Sequence, residues 1–278
     1  VDGQTMDALG YDAFLDAIRG EAGTTVSLVW LTPADPEPRT ADVVRARVDK
    51  RTVLLRDLPG EDRVGYLRIT GFDGLTYAAF KASLDRLIAE GKEAVVFDLR
   101  GNGGGTLDSV CRVLSYLLPD GDIVTVDYAA PDAQDYTIRA EGETYHSGGR
   151  SERFPDAAHA LTLPVAVLCD AGTASAAELF CAALRDYTAA GAFDAVIVGA
   201  PTYGKGTVQT SHLLPDGSAV KLTVATYAPP SGVCYDGVGI LPDRPVEADP
   251  TAPDLYLRDL SLDPQCAAAV AALCAKID

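Results

Sequence analysis

The sequence predicts an α/β fold, and three observations predict it. Short apolar runs alternate with segments of helical periodicity, in the order strand, helix, strand, helix. Glycine-rich turns follow the apolar runs at Gly101–Gly105 and near Gly172 and Gly204. With 278 residues, 47% of them hydrophobic, the chain can bury the core of one large domain and a small appendage.

In chain order, Tyr11, Phe14, Leu15 and Ile18 recur at helical spacing, with Gly20 as a stop. Val26, Leu28 and Trp30 alternate as a strand, and a proline-rich turn at 33–38 leads to a second strand near Val43–Val48. A block this small buries little by itself, so residues 1–48 read as a fragment of a domain and 49–278 as the main one. Val64–Thr70 alternates as a strand. Thr76 is placed to cap a helix carrying Tyr77, Phe80, Leu84, Leu87 and Ile88 on one face. A buried strand at Ala94–Asp98, the loop Leu99–Gly105 and a helix over 106–118 complete a βαβ pattern. Residues 119–163 are polar and turn-rich and read as a surface excursion. Two more apolar strands flank a helix carrying Leu179, Phe180, Ala183, Leu184 and Tyr187. Beyond Lys205 the pattern turns to β, with a hairpin at Pro215-Asp-Gly217, and Asp263-Pro264 opens a last helix.

Charge and composition exclude several functions. A net charge of −17 argues against nucleic-acid phosphates and anionic lipid. No run of eighteen apolar residues offers a membrane span. The six cysteines are far apart, without a Cys-x-x-Cys pair, so neither zinc spacing nor a disulfide is expected. His146, His159 and His212 have no sequence neighbours that call for a triad.

Two residues stand out against this background. Ser175 follows a strand and a glycine turn at the mouth of a helix. Such a serine is commonly a plain N-cap, but here its hydroxyl would point off the end of the sheet. The amide of Ala176, at the helix N-terminus, is placed to hold an oxyanion. Thr173 and Ala177 replace the glycines of a nucleophile elbow, which argues against an α/β-hydrolase.

Lys205 ends a Gly-x-x-x-x-Gly-Lys run that mimics a phosphate loop. Gly206 stands where Ser or Thr must hold magnesium, and β structure follows instead of a helix. A solvated lysine is charged at neutral pH, with a pKa of ~10.4, so a base role needs burial to lower it. Gln209 falls on the same strand face as Lys205 and would orient its amine. The loop Gly101-Asn-Gly-Gly-Gly105 is either a tight turn, a phosphate cradle lacking its third glycine, or a source of oxyanion amides. Asp98 and Arg100 read as structural, and Glu178 as an ordinary first-turn acid.

These segments together resemble the C-terminal processing peptidases, or tail-specific proteases. The matching stretches are Gly65–Ile69, Asp98–Gly105, Gly172–Glu178, Tyr203–Gln209 and Gly237–Asp243, with Val1–Val48 similar to the back half of a bacterial PDZ domain. The resemblance implies a crotonase-like (ClpP/crotonase-type) peptidase core and a serine endopeptidase working near protein C-termini. It implies Ser175 as nucleophile, Lys205 as base, Gln209 as its support, and backbone amides of Gly104 or Gly105 and of Ala176 as the oxyanion hole. It further implies no cofactor or metal, protein substrates with accessible C-terminal tails, and an exported location, leaving homo-oligomerisation open. Gly103 stands where that family commonly has proline, and the tail-binding PDZ loop is not in the sequence. Two rivals remain: a peptide-binding homologue with a silent dyad, and a crotonase-type acyl-CoA enzyme.

Overall fold

Val64–Ile69, Ala94–Asp98, Val165–Cys169 and Ala195–Gly199 are buried at every position, the pattern of strands covered on both faces. A computed structural model of the chain describes residues 1–32, 35–47, 51–141, 144–147, 149–153, 160–249, 251 and 255–278. The chain forms two units, Val1–Lys50 and Arg51–Asp278. The boundary expected after residue 48, the start of the proline-rich turn and His159 fall outside the described residues.

The first unit holds helices α1 (Met6–Leu9) and α2 (Tyr11–Ile18) and strands β1 (Thr25–Thr32) and β2 (Asp35–Val44), paired antiparallel. Arg45 closes the helix onto the ribbon. Its guanidinium donates to Ala17 O at 2.7 Å, Ile18 O at 2.9 Å and Thr25 O at 3.1 Å, satisfying carbonyls that a helix end leaves open.

The second unit runs β3 (Val53–Arg56), β4 (Val64–Ile69), α3 (Thr76–Ala89), β5 (Ala94–Asp98), α4 (Leu107–Leu117), β6 (Gly121–Tyr128), β7 (Tyr136–Glu141), β8 (Thr144–Ser147), β9 (Arg150–Arg153), β10 (Val165–Cys169), α5 (Ala176–Ala189), β11 (Ala195–Gly199), β12 (Thr207–Leu213), β13 (Ala219–Ala228), β14 (Arg244–Pro245) and α6 (Pro264–Ile277). One sheet has the order β14-β11-β10-β5-β4-β3. Helices α3, α4 and α5 cover one of its faces with Phe80, Leu114 and Phe180, all fully buried. Helix α6 covers the other with Cys266, Ala269 and Leu273 against Tyr66, Val96 and Leu168. Asp263 caps α6 through the amides of Gln265 and Cys266, as the Asp-Pro signal predicts.

The crotonase-like α/β core is corrected here. Strand β3 runs antiparallel to β4, so the first sheet is mixed. A second six-stranded sheet, β12-β13-β6-β7-β8-β9, is antiparallel at every pairing. Residues 119–163, read from sequence as a surface excursion, supply four of its strands. Their physical signal is hidden by polar residues on the outer face. Ile123, Val124, Val126, Ile138 and Ala140 are nonetheless buried in the main core, so the segment is a wall of it.

Candidate active site

The path from β10 to α5 is held by short polar links before it reaches Ser175. Asp170 Oδ1 accepts from the amides of Gly172 and Gly101, both at 2.9 Å, which joins this turn to the glycine loop. Thr173, fully buried, donates to Leu99 O at 2.9 Å, and Ala174 N donates to Asn102 O at 2.9 Å. Ser175 then adopts φ 57° and ψ −120°. That is the first central position of a type II′ turn, where glycine is the default. A serine there stores strain of order 1–3 kcal/mol, and such residues cluster at functional sites. The turn is therefore strained even though the flanking glycines of a nucleophile elbow are absent.

Glycine is required opposite. A Cβ on Gly104 would lie 2.7 Å from Ala174 O and 2.9 Å from both Ala176 N and Ser175 Cβ. The glycine loop runs with its backbone against the serine turn. Asn102 shapes it: its Nδ2 donates to Ile69 O, and its Oδ1 accepts from Gly104 N, each at 2.9 Å. The Gly104 amide is thereby engaged. The amides of Gly105 and Ala176 have no acceptor among the described residues, and both residues line the same cleft as Ser175.

Glu178 departs most from its sequence reading. It is fully buried, and its two oxygens accept four hydrogen bonds. Oε2 takes the amides of Ser175 and Lys205, each at 2.8 Å; Oε1 takes Gly204 N at 2.6 Å and Thr202 Oγ1 at 2.5 Å. These fill the acceptor capacity of a carboxylate. One side chain thus fixes the backbone of the serine turn and of the lysine loop together. Sequence reading missed it because a glutamate three residues after a serine is also the ordinary capping pattern.

Lys205, half-buried, precedes β12, and its Nζ donates to Gln209 Oε1 at 3.3 Å. Tyr227, on β13, was also missed. Its hydroxyl donates to Lys205 O at 2.9 Å and lies 3.4 Å from Ser175 Oγ. Burial pushes its phenol up to about 12, so it stands as a neutral donor. Tyr235 packs edge-on against it at 5.9 Å and donates to Ser175 O at 3.3 Å. No single-position signal marks these tyrosines; β13 brings Tyr227 in only through its pairing with β12 and β6.

Ser175, Lys205, Gln209 and Tyr227 line one cleft of about 230 Å³, with Gly105 and Ala176 beside them. Among the described residues no histidine lines it, and no group of metal-ligating side chains is found. All six cysteines are free. No helix among the described residues is long and apolar enough to cross a membrane. A serine on a strained turn, an amine, and two unpaired amides in one cleft can carry out acyl transfer.

Comparison with known proteins agrees. The profile of peptidase family S41 matches residues 63–246. The chain is 32% identical over 253 residues to carboxyl-terminal-processing peptidase 2, chloroplastic, of Arabidopsis thaliana, covering 88% of this chain and 45% of that protein. It is 33% identical over 262 residues to the chloroplastic C-terminal processing peptidase of Tetradesmus obliquus, covering 90% and 52%. The chain therefore spans about half the length of these relatives. It superposes on the photosystem II D1 C-terminal processing protease with a TM-score of 0.59 at 28% identity, over 96% of this chain and 65% of that one. A peptidase from Parabacteroides merdae shares the fold, with a TM-score of 0.59 at 23% identity over 81% of this chain and 65% of that one. The mixed-sheet architecture is thus that of these peptidases, in place of a crotonase-type fold.

Proposed function

Because the chain belongs to peptidase family S41, we propose that it is a serine endopeptidase cleaving protein substrates near their C-termini through Ser175 and Lys205. One observation carries the reading: the backbones of both residues hang from the single buried carboxylate of Glu178, and their side chains line one cleft. In the mechanism, the Lys205 amine acts as the base that takes the Ser175 proton as the hydroxyl attacks the scissile carbonyl. The oxyanion forms against the amides of Gly105 and Ala176, the two left without acceptors. Lys205 then gives its proton to the leaving amine, and water hydrolyses the acyl-enzyme by the same route in reverse. Gln209 orients the amine from 3.3 Å.

In the form described, Lys205 Nζ is turned to Gln209, and no hydrogen bond joins it to Ser175 Oγ. Long contacts of this kind are ordinary before substrate tightens a site. They also suit the second reading, a peptide-binding homologue with a disengaged dyad. We take Val1–Val48 as part of a PDZ-like substrate-recognition domain, and the protein as exported, on the resemblance of its sequence and the kind of relatives it has. The test is cleavage of casein by wild type, Ser175→Ala and Lys205→Arg. Each substitution should cost on the order of 10³-fold or more while the fold survives. Turnover persisting in Lys205→Arg would remove the lysine as base, because a guanidinium stays charged. Unchanged labelling of Ser175→Ala by a fluorophosphonate would remove the serine.

A further inference from the structure

Four arginines meet on the α6 side of strands β3, β4 and β5, and two buried carboxylates meet them. Arg100 consumes most of that charge. It forms a fork with Asp98 through Nε at 3.0 Å and Nη2 at 2.7 Å, and reaches Asp263 through Nη1 at 2.7 Å. Arg258 lies 3.5 Å from the same Asp263 oxygen. Asp259, close by in sequence, is exposed and already accepts from Ser261 N and Oγ. Arg56 and Arg68 form no salt bridge among the described residues, although Arg56 is near enough to help hold the Asp259 carboxyl down.

Their placement makes this costly. Arg56 pairs with Tyr66 and Arg68 with Leu54 in the antiparallel register, so the two arginines are diagonal neighbours on one face of the sheet. Arg68 is 5% exposed. Its guanidinium stacks on the Tyr256 ring at 4.5 Å, which serves the face of the group and leaves its in-plane N–H bonds unserved. Nε and Nη1 of Arg68 and Nη1 of Arg56 are buried without an acceptor among the described residues. Arg56 Nη2 donates to Arg258 O at 2.7 Å, which draws the Tyr256–Arg258 segment across both arginines. Two like charges with three orphaned donors, inside a chain of net charge −17, need an anion between them.

We propose that Arg56 and Arg68 bind one small oxyanion, a carboxylate or an inorganic phosphate or sulfate, that bridges strands β3 and β4 to the Tyr256–Arg258 segment. Its oxygens accept the three orphaned N–H groups. The site is separate from the catalytic cleft and does not depend on the peptidase reading.

The test is thermal unfolding and isothermal titration of the full chain with phosphate, sulfate or acetate, each against chloride at equal ionic strength. One of the three should raise Tm by roughly 5–10 °C at a hundredfold excess over its Kd. Phosphate or sulfate acting alone identifies a tetrahedral ligand, and acetate acting alone a carboxylate. Arg68→Met and Arg56→Met should each weaken binding at least tenfold, and Arg68→Lys should recover part of it, keeping the charge without the fork. Should Arg68→Met fail to fold, Arg56→Met and the wild-type titration still decide. No anion-specific shift in wild type overturns the proposal. So does a shift of equal size in the methionine variants.

Discussion

Two buried charges in this molecule are handled in opposite ways, Glu178 beside the cleft and Arg100 on the far side of the sheet. Arg100 is satisfied by other side chains: Asp98, Asp263 and Gln265 share its donors, with Tyr66 donating to Asp98 behind them. The ions neutralise one another and pin β5 to the start of α6. Glu178 has no salt-bridge partner among the described residues. Three backbone amides and one hydroxyl satisfy it, and each belongs to a loop whose position matters to the cleft. A buried ion pair holds elements together, whereas a buried carboxylate filled by amides dictates the local path of the chain.

That comparison can be broken from the Arg100 side first. Arg100→Met strips the cation from buried Asp98 and leaves Asp263 with Arg258 alone, and should cost about 3–5 kcal/mol, read by calorimetry. Its pH dependence should also weaken. Burial pushes the Asp263 carboxyl up, but Arg100 outweighs it and holds the group below its ordinary value. The wild-type contribution is therefore complete above the ordinary aspartate value of about 4 and is lost as pH falls through the lower folded value. In Arg100→Met only the Cys266 amide and Arg258 still oppose burial, so the loss of stability on acidification should shrink. A variant whose Tm follows the wild-type profile would show that Arg100 does not hold Asp263.

Glu178→Gln tests the other side. The amide would turn its own N–H donors against donors now bound, costing about 2–3 kcal/mol. As a positioning residue it should lower kcat with little change in KM; an equal loss carried in KM alone would make its role substrate binding. Ser175→Gly separates strain from chemistry. Activity should vanish while stability rises by about 1 kcal/mol, strain relief outweighing the entropy of the added glycine. A loss of stability would mean that the φ of 57° is not strained in solution. Tyr227→Phe is the smallest change, removing a hydrogen bond worth about 1 kcal/mol. Peptidase activity should fall a few-fold with the shape of its pH profile unchanged below 11, since the phenol stays neutral there. A shifted profile would give Tyr227 a proton-transfer role.

Much of the site was legible because its parts lie in short stretches. Ser175 and Ala176 follow a strand and turn, and Lys205 and Gln209 have the spacing of one strand face, so period and position suffice to select them. Lys205 nevertheless precedes β12, whose register shifts at Val208–Gln209. Glu178 was seen and misjudged, because capping and hub roles begin with the same residue pattern. Tyr227 is 52 residues from Ser175, and nothing local distinguishes it from any aromatic on a strand. Gly104 and Gly105 were equivalent as letters; the Asn102 side chain engages the amide of one. Arg68 read as one polar residue in an alternating strand, and its burial depends on Tyr256, 188 positions away.

By itself the sequence determined that β5, β10 and β11 are apolar strands, where α4, α5 and α6 begin, and which serine and lysine to single out. Those properties follow from periodicity and capping, which act over a few residues. Only the tertiary structure decided that the sheet is mixed, that strands β6 and β7 wall the core, and that Glu178 reaches the lysine loop 27 residues beyond it. Each of these depends on which distant backbone groups meet. A buried donor must find its acceptor wherever the fold brings one, and sequence spacing does not record that meeting.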